Sequence, residues 1–298
     1  MDLLSATLPT PIQQLSNKLT EEAGIKFYIK CDDLIHPTVS GNKWRKLKYN
    51  LFEAKSRGYH RILTFGGAFS NHLYAVAAAG NVLGFETIGM VRGEGVADKP
   101  SPTLLFCKEQ GMKLHFVSRE MYRMKDSKEY LQELSGQFKN PFIIPEGGTS
   151  ALALRGIAEM VPEVINQLGV MPDYFAVAAG TGGTAAGLLA AGANVLAFSA
   201  LKGGGFLKND IHNLLKHQIF QAELQLMTDY HFGGYAKWNQ QLIDFIQKFK
   251  QDFNIQLEQV YTAKMFFGLF DLIQKGHFKK GDTIVAVHTG GLQGLFTP

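Results

Sequence analysis

Short apolar runs alternate with longer stretches of helical period along the whole chain. Residues 27–29, 61–65, 87–91, 113–117, 141–144, 174–178, 195–199 and 283–287 are brief and apolar, which predicts strands. Between them, 46–57, 71–83, 103–110, 127–137, 153–168, 183–191, 237–249 and 263–274 place apolar residues three and four apart, which predicts helices. Strands that alternate with helices imply an α/β fold with parallel, doubly wound sheets and helices on both faces. The stretch 203–234 shows no clear period, and the chain has no internal repeat. Glycines fall where strands end: Gly66-Gly67, Gly147-Gly148, the run Gly180 to Gly183, and Gly290-Gly291. Such loops gather at the carboxyl edge of a parallel sheet, where ligands bind. Four of them predict one crowded pocket.

At 298 residues the chain is long enough for one large α/β domain or two modest ones. Hydrophobic residues make up 46% and charged residues 19%, the balance of a soluble globular protein, and no apolar run approaches the roughly 18 residues that span a bilayer. Residues 1–15 show no basic end followed by an apolar stretch, so no signal peptide is expected. Cys31 and Cys107 form no CxxC pair, and two free buried thiols imply a cytoplasmic address. A net charge of +4 without a long basic stripe argues against a nucleic-acid partner and suits a small anionic ligand.

Four segments carry candidate chemistry. Val177-Ala178-Ala179-Gly180-Thr181-Gly182-Gly183-Thr184 is a strand that breaks into a glycine loop before a helix. Glycines let several N–H groups converge, the helix start adds partial positive charge, and Thr181 and Thr184 add hydroxyls, which together suit a phosphate. No Lys follows the glycines, as a nucleotide-triphosphate loop requires. A dinucleotide would need an acid about 20 positions on, yet that strand ends Phe198-Ser199-Ala200-Leu201-Lys202. A tight turn with no ligand remains open. The second segment, Ser40-Gly41-Asn42-Lys43-Trp44-Arg45-Lys46, precedes a helix. An imine-forming lysine needs a lowered pKa, which Arg45 and Lys46 would help to produce. A solvated basic helix start is the plain alternative. In the third, Gly66-Gly67-Ala68-Phe69-Ser70-Asn71-His72, Ser70 suits an N-cap and the free N–H groups beside it suit a carboxylate. The fourth pairs Glu258-Gln259-Val260-Tyr261-Thr262-Ala263-Lys264 with His288-Thr289-Gly290-Gly291.

Taken in their order along the chain, and joined by Glu146-Gly147-Gly148-Thr149-Ser150, these segments resemble the D-cysteine desulfhydrases and 1-aminocyclopropane-1-carboxylate deaminases. Those are pyridoxal-phosphate enzymes of the tryptophan-synthase-β fold type. The resemblance spans nearly the whole chain. It implies two doubly wound domains, with 1–45 and 151–298 forming the larger and 46–150 the smaller, and a cofactor site in the cleft between them. It implies that Lys43 carries pyridoxal phosphate as an imine and shuttles the α-proton. Gly180, Thr181, Gly182, Gly183 and Thr184 would hold the phosphate with Lys46, Asn71 the ring hydroxyl, and Thr262 the pyridine nitrogen. Ser70 would meet the substrate carboxylate or act as nucleophile, with His72 beside it and Tyr261 above the substrate. Phe69 stands where the family usually has Gln, which would make the pocket more apolar. Thr262 and Thr289 stand where ring-opening deaminases carry Glu and Leu. The implied enzyme is a homodimeric, deaminating lyase on a small amino acid, D-cysteine first. The cyclopropane amino acid is the alternative, and a nicotinamide oxidoreductase is more remote.

Overall fold

The computed structural model describes residues 3–216 and 221–295. Its strands are β1 (Ile12–Gln14), β2 (Lys26–Lys30), β3 (Arg61–Gly66), β4 (Glu86–Arg92), β5 (Lys113–Val117), β6 (Phe142–Ile144), β7 (Tyr174–Ala179), β8 (Val195–Ser199), β9 (Leu224–Met227) and β10 (Thr283–Val287). Its helices are α1 (Lys18–Ala23), α2 (Asn42–Ser56), α3 (Asn71–Leu83), α4 (Pro102–Glu109), α5 (Arg119–Arg123), α6 (Lys128–Gln137), α7 (Ala151–Ala158), α8 (Met160–Leu168), α9 (Gly183–Ala190), α10 (Leu207–Leu215), α11 (Gln240–Phe253) and α12 (Thr262–Gln274). The strands form two sheets, ordered β1-β2-β10-β7-β8-β9 and β5-β4-β3-β6. All pairings are parallel except β1 with β2. The expected two-domain, mostly parallel α/β architecture is present.

Both sheets are buried on two faces, as the period of two along their strands requires. In β7, Ala176 and Ala178 pack with Leu242, Phe249 and Phe266 of α11 and α12. The alternate residues Phe175, Val177 and Ala179 pack with Ile157, Val164, Leu188 and Ile211 on the opposite face. In β3, Ile62 faces Leu47, Leu51 and Val76, while Leu63 and Phe65 face Tyr122, Tyr130 and Leu134. Leu4, Ile35 and Val39 also join the core of the smaller sheet.

Several boundaries differ from the sequence-based expectation. The helix expected over 153–168 is two helices meeting at Glu159, because Pro162 has no N–H to offer Ala158. The helix expected over 237–249 starts at Gln240, where the Asn239 side chain caps Leu242 N, and runs on to Phe253. The helix expected from Lys46 starts at Asn42, so Lys43 lies in its first turn rather than ahead of it. β1 and β9 are three- and four-residue edge strands, too short to show a period. Among the described residues, no helix is long and apolar enough to cross a membrane.

Strand order fixes where a ligand can enter. The chain leaves β7 toward β8 and β9, then returns on the other side of β7 as β10. In the smaller sheet it leaves β3 toward β4 and β5, then returns beside β3 as β6. Each reversal opens a crevice at the carboxyl ends of adjacent strands. The four loops there hold the four glycine clusters.

Candidate active site

A cavity of about 670 Å³ lies between the sheets. It is lined by Gly67, Ser70, Asn71 and His72 from one crevice and by Gly147 and Thr149 from the β6 side. Gly180, Thr181, Gly182, Gly183, Thr184, Tyr261 and Thr289 line it from the larger sheet, and Lys43 and Lys46 from α2.

The start of α2 is fixed by close packing. Gly41 has φ +63, and a Cβ there would lie 1.9 Å from the Thr289 carbonyl oxygen. Glycine alone fits, which brings the turn after β10 against α2. Asn42 Nδ2 donates to Thr184 Oγ1 at 2.8 Å. Arg45 points away from the cavity. Its guanidinium grips Asp32 twice, at 2.7 and 2.8 Å, and Glu163 at 3.0 Å. Lys43 is half-buried by surface, and its ammonium is enclosed by protein, with no hydrogen-bond partner among the described residues. Burial lowers it to about 8. Burial is therefore the cause of a shift that the sequence assigned to Arg45 and Lys46.

One turn along α2, Lys46 is 2% exposed. Its Nζ donates to Gly147 O at 3.2 Å and Thr149 Oγ1 at 3.3 Å. Among the described residues no carboxylate pairs with Lys43 or Lys46. Burial, and then the Lys43 charge, hold Lys46 well below its ordinary value. Opposite it, β7 ends in the glycine loop. Gly182 has φ +75, and a Cβ on Gly183 would lie 2.7 Å from Thr149 Oγ1 and 2.9 Å from Lys46 Nζ. Thr149 and Thr181 share a hydroxyl contact of 2.7 Å. The cradle thus combines a helix N-terminus, two hydroxyls and an uncompensated buried ammonium, which is what a dianion requires.

At the other crevice Ser70 caps α3, accepting from Leu73 N at 3.2 Å, and still lines the cavity. Asn71 is held by Gln293, whose Nε2 donates to its Oδ1 at 2.8 Å. His72 is buried. Thr64 donates its single hydroxyl proton to Ile144 O at 2.7 Å, so its oxygen accepts from His72 Nε2 at 2.8 Å. His72 Nδ1 is left as a buried lone pair without a partner among the described residues. Burial, then the charges of Lys43 and Lys46, keep the ring neutral.

Tyr261 precedes α12, and its ring packs on Gly180, where a Cβ would lie 3.1 Å from its Cε1. Burial raises its phenol well above the ordinary value. Tyr235 stands beside it, ring centroids 6.0 Å apart, and also lines the cavity. Glu258 is 2% exposed and lies outside the cavity lining. Its carboxylate accepts from the N–H groups of Val260, Tyr261 and Thr262 at 2.7, 2.8 and 2.6 Å.

Residues 3–202 match the family of pyridoxal-phosphate-dependent enzymes. The chain belongs to that family. It is 34% identical to a putative 1-aminocyclopropane-1-carboxylate deaminase of Pyrococcus horikoshii, over 96% of this chain and 90% of that protein. It is 31% identical to the mitochondrial bifunctional D-cysteine desulfhydrase/1-aminocyclopropane-1-carboxylate deaminase of Arabidopsis thaliana, over 98% and 78%. The crystal structure of an ACC deaminase homologue superposes with a TM-score of 0.84 at 32% identity, covering 98% of this chain and 92% of that one.

The residues present fit pyridoxal phosphate. The Lys46–Gly183 cradle matches its phosphate in charge, and Lys43 offers a free amine of lowered pKa in the same cavity. Of the residues singled out from sequence, Lys43, Lys46, Ser70, Asn71, His72, Tyr261 and Gly180 to Thr184 come together. Thr262 does not. It is fully buried, and its hydroxyl accepts from Glu258 N at 3.0 Å. Thr289 reaches the cavity instead. Phe69 does not reach it either: it is 58% exposed on the loop outside, so it does not make the cavity more apolar. Tyr235 is absent from the sequence-based set because it lies at the end of a stretch without periodicity. Thr149, quoted in a motif but given no role, is the neutral partner of both Lys46 and Thr181.

Proposed function

We propose that the protein is a D-cysteine desulfhydrase, eliminating sulfide from D-cysteine with water to give pyruvate, ammonia and hydrogen sulfide. The supporting observation is the end of the cavity at β10, where Thr289, a residue with a neutral hydroxyl, belongs to the lining, and the nearby Glu258 carboxylate, outside the lining, is engaged by three backbone N–H groups. Pyridoxal phosphate, when bound, supplies the electron withdrawal from the substrate α-carbon. A neutral hydroxyl at the ring nitrogen favours its proton less than a carboxylate would. Weaker withdrawal suffices when a thiolate leaves the β-carbon, and less so when a carbon–carbon bond must break.

The protein's own groups divide the work. Lys46, Thr149, Thr181 and the N–H groups at the start of α9 bind the phosphate. Asn71, already oriented by Gln293, offers its amide to the ring hydroxyl. Ser70 and the free N–H groups of α3 take the substrate carboxylate. Lys43, freed when substrate enters, removes the α-proton as a base set near neutral pH by burial. Tyr261 and Tyr235 close the cavity over the substrate and exclude water. A small-molecule substrate, a homodimer, a cytoplasmic address supported by the free buried thiols of Cys31 and Cys107, and a smaller domain over 46–150 belong to the same reading.

The test is a paired assay of sulfide from D- and L-cysteine and of ammonia from 1-aminocyclopropane-1-carboxylate. Sulfide from D-cysteine should be the fastest product. Rapid ring opening without sulfide would reverse the ranking and favour the activity for which the Pyrococcus horikoshii relative is named.

A further inference from the structure

Tyr235 reaches the cavity from a segment with unusual backbone. Phe232, Gly233, Gly234 and Ala236 have φ of 49, 93, 117 and 52. Positive φ at Phe232 and Ala236 is strained for residues with a Cβ, and such strain persists only where surroundings over-determine the chain. Lys202 packs against Gly234 and Phe198 of β8 against Tyr230, and the polar grip comes from one stripe of α12. Lys264, Phe267, Gly268 and Asp271 lie three, four and seven positions apart, on one face. Asp271 Oδ2 accepts from Tyr230 OH at 2.5 Å, and Phe267 meets Phe232 edge-on with centroids 5.0 Å apart. Gly268 leaves room for Tyr230, whose Cδ2 a Cβ would approach to 2.9 Å.

Lys264 completes the grip. It is 1% exposed, and its Nζ donates to His231 O at 2.9 Å and Gly234 O at 2.8 Å. Those two carbonyls also accept from Gly234 N and Lys237 N, so the lysine ties both ends of the turn that delivers Tyr235. Among the described residues no carboxylate forms an ion pair with Lys264, so two backbone carbonyls hold its buried ammonium directly and the Glu258 carboxylate supports it from farther off. Three residues before Lys264 on the same helix start is Tyr261. One helical turn thereby carries the first tyrosine directly and holds the second through the lysine.

We propose that Lys264 is a positioning residue that sets Tyr235 against Tyr261 over the substrate space. The catalytic part rests on the proposed elimination reaction; the positional part does not. Lys264→Met removes the donors at similar length. In holoenzyme, trypsin should then cut after the exposed Lys237 at least tenfold faster, with cleavage elsewhere unchanged, whereas Tyr235→Phe should leave that rate as in the unaltered protein. Turnover of D-cysteine by Lys264→Met should fall at least tenfold with KM and cofactor absorbance within twofold, and Lys264→Met/Tyr235→Phe should be no slower than the slower single variant. Lys264→Gln, which keeps an N–H donor, should recover part of both losses. If Lys264→Met does not accumulate, Asp271→Asn releases the same segment from its outer end and should expose Lys237 in proportion to its loss of turnover. Unchanged cleavage at Lys237, or losses that multiply in the double variant, would overturn the proposal. Should the unaltered protein ignore D-cysteine, the reaction assignment falls while the cleavage result still decides the position of the loop.

Discussion

The two ends of the cavity are built in different ways. The phosphate end is centred on contiguous backbone, the glycine loop after β7 and the start of α9, to which Lys46 of α2 and Thr149 add side chains. The tyrosine end is made by tertiary packing, in which α12 presents Tyr261 and, through a turn of strained backbone, Tyr235. A dianion common to a whole family can be held by N–H groups that many side chains could surround. A substrate must be met by particular side chains, and those can be moved by changing the packing behind them. The first end is expected to govern cofactor retention and the second turnover.

The largest effect belongs to the residue between the ends. Lys43→Ala should abolish covalent attachment of the cofactor and lower turnover by about 10²–10⁴, the range for loss of a positioned base or nucleophile. Borohydride reduction and peptide mapping read the attachment. A label on any other lysine would break the division into two ends, because the cavity would then not be centred on α2.

Next comes the phosphate end. Gly183→Val places a side chain against Thr149 and Lys46, and Lys46→Met removes the buried cation. Each should weaken cofactor retention roughly 10–100-fold, as expected for about 1.5–3 kcal/mol of charge-assisted hydrogen bonding. Tyr261→Phe should leave occupancy unchanged and lower kcat. Occupancy after dialysis, measured beside kcat, separates the ends, and a variant that moved both quantities together would merge them.

The same contrast explains what could be seen in the sequence. Strand-to-helix loops with glycines have a local signature, so the sheets, the cradle and the segments around Lys43 and Ser70 were legible. Gly41 and Gly183 are glycines for reasons visible only in three dimensions, yet they lie inside those segments. Tyr235 has no local signature, because its placement depends on α12 about thirty positions later. Thr262 was misplaced for a related reason. The resemblance implied a place for it at the pyridine nitrogen, but the first turn of α12 rotates this side chain inward, to Glu258. The cause of the Lys43 shift was also hidden: charge neighbours are visible in sequence, and enclosure is not.

That enclosure has a pH consequence of about tenfold. Attachment of the cofactor to apoprotein requires neutral Lys43, whose ammonium burial places at about 8. Below that pH the cation dominates and attachment is slow; above it the amine dominates. The attachment rate should rise about tenfold between pH 7 and 9 and then flatten, whereas an unperturbed lysine would keep climbing past pH 10. Stopped-flow absorbance at several pH values checks this, and continued climbing would mean that Lys43 is solvated.

The smallest effect separates two threonines. Thr262→Val leaves Glu258 N without its acceptor in a fully buried position, at a cost of about 1–3 kcal/mol. Thermal unfolding should therefore fall by a few degrees. Turnover and the absorbance of bound cofactor should stay within twofold, because the removed hydroxyl faces Glu258 and not the cavity. Thr289→Val should do the reverse. Thr289 belongs to the cavity lining, so loss of its hydroxyl should shift the cofactor absorbance and change turnover severalfold with little change in melting temperature. Val is close to Thr in volume, so neither substitution opens a hole and the readouts report the hydroxyl alone. A spectral shift in Thr262→Val with none in Thr289→Val would return the ring-nitrogen contact to α12. The neutral end of the cavity would then lie on the tyrosine side, and the argument for a thiolate leaving group would have to be made from Thr262.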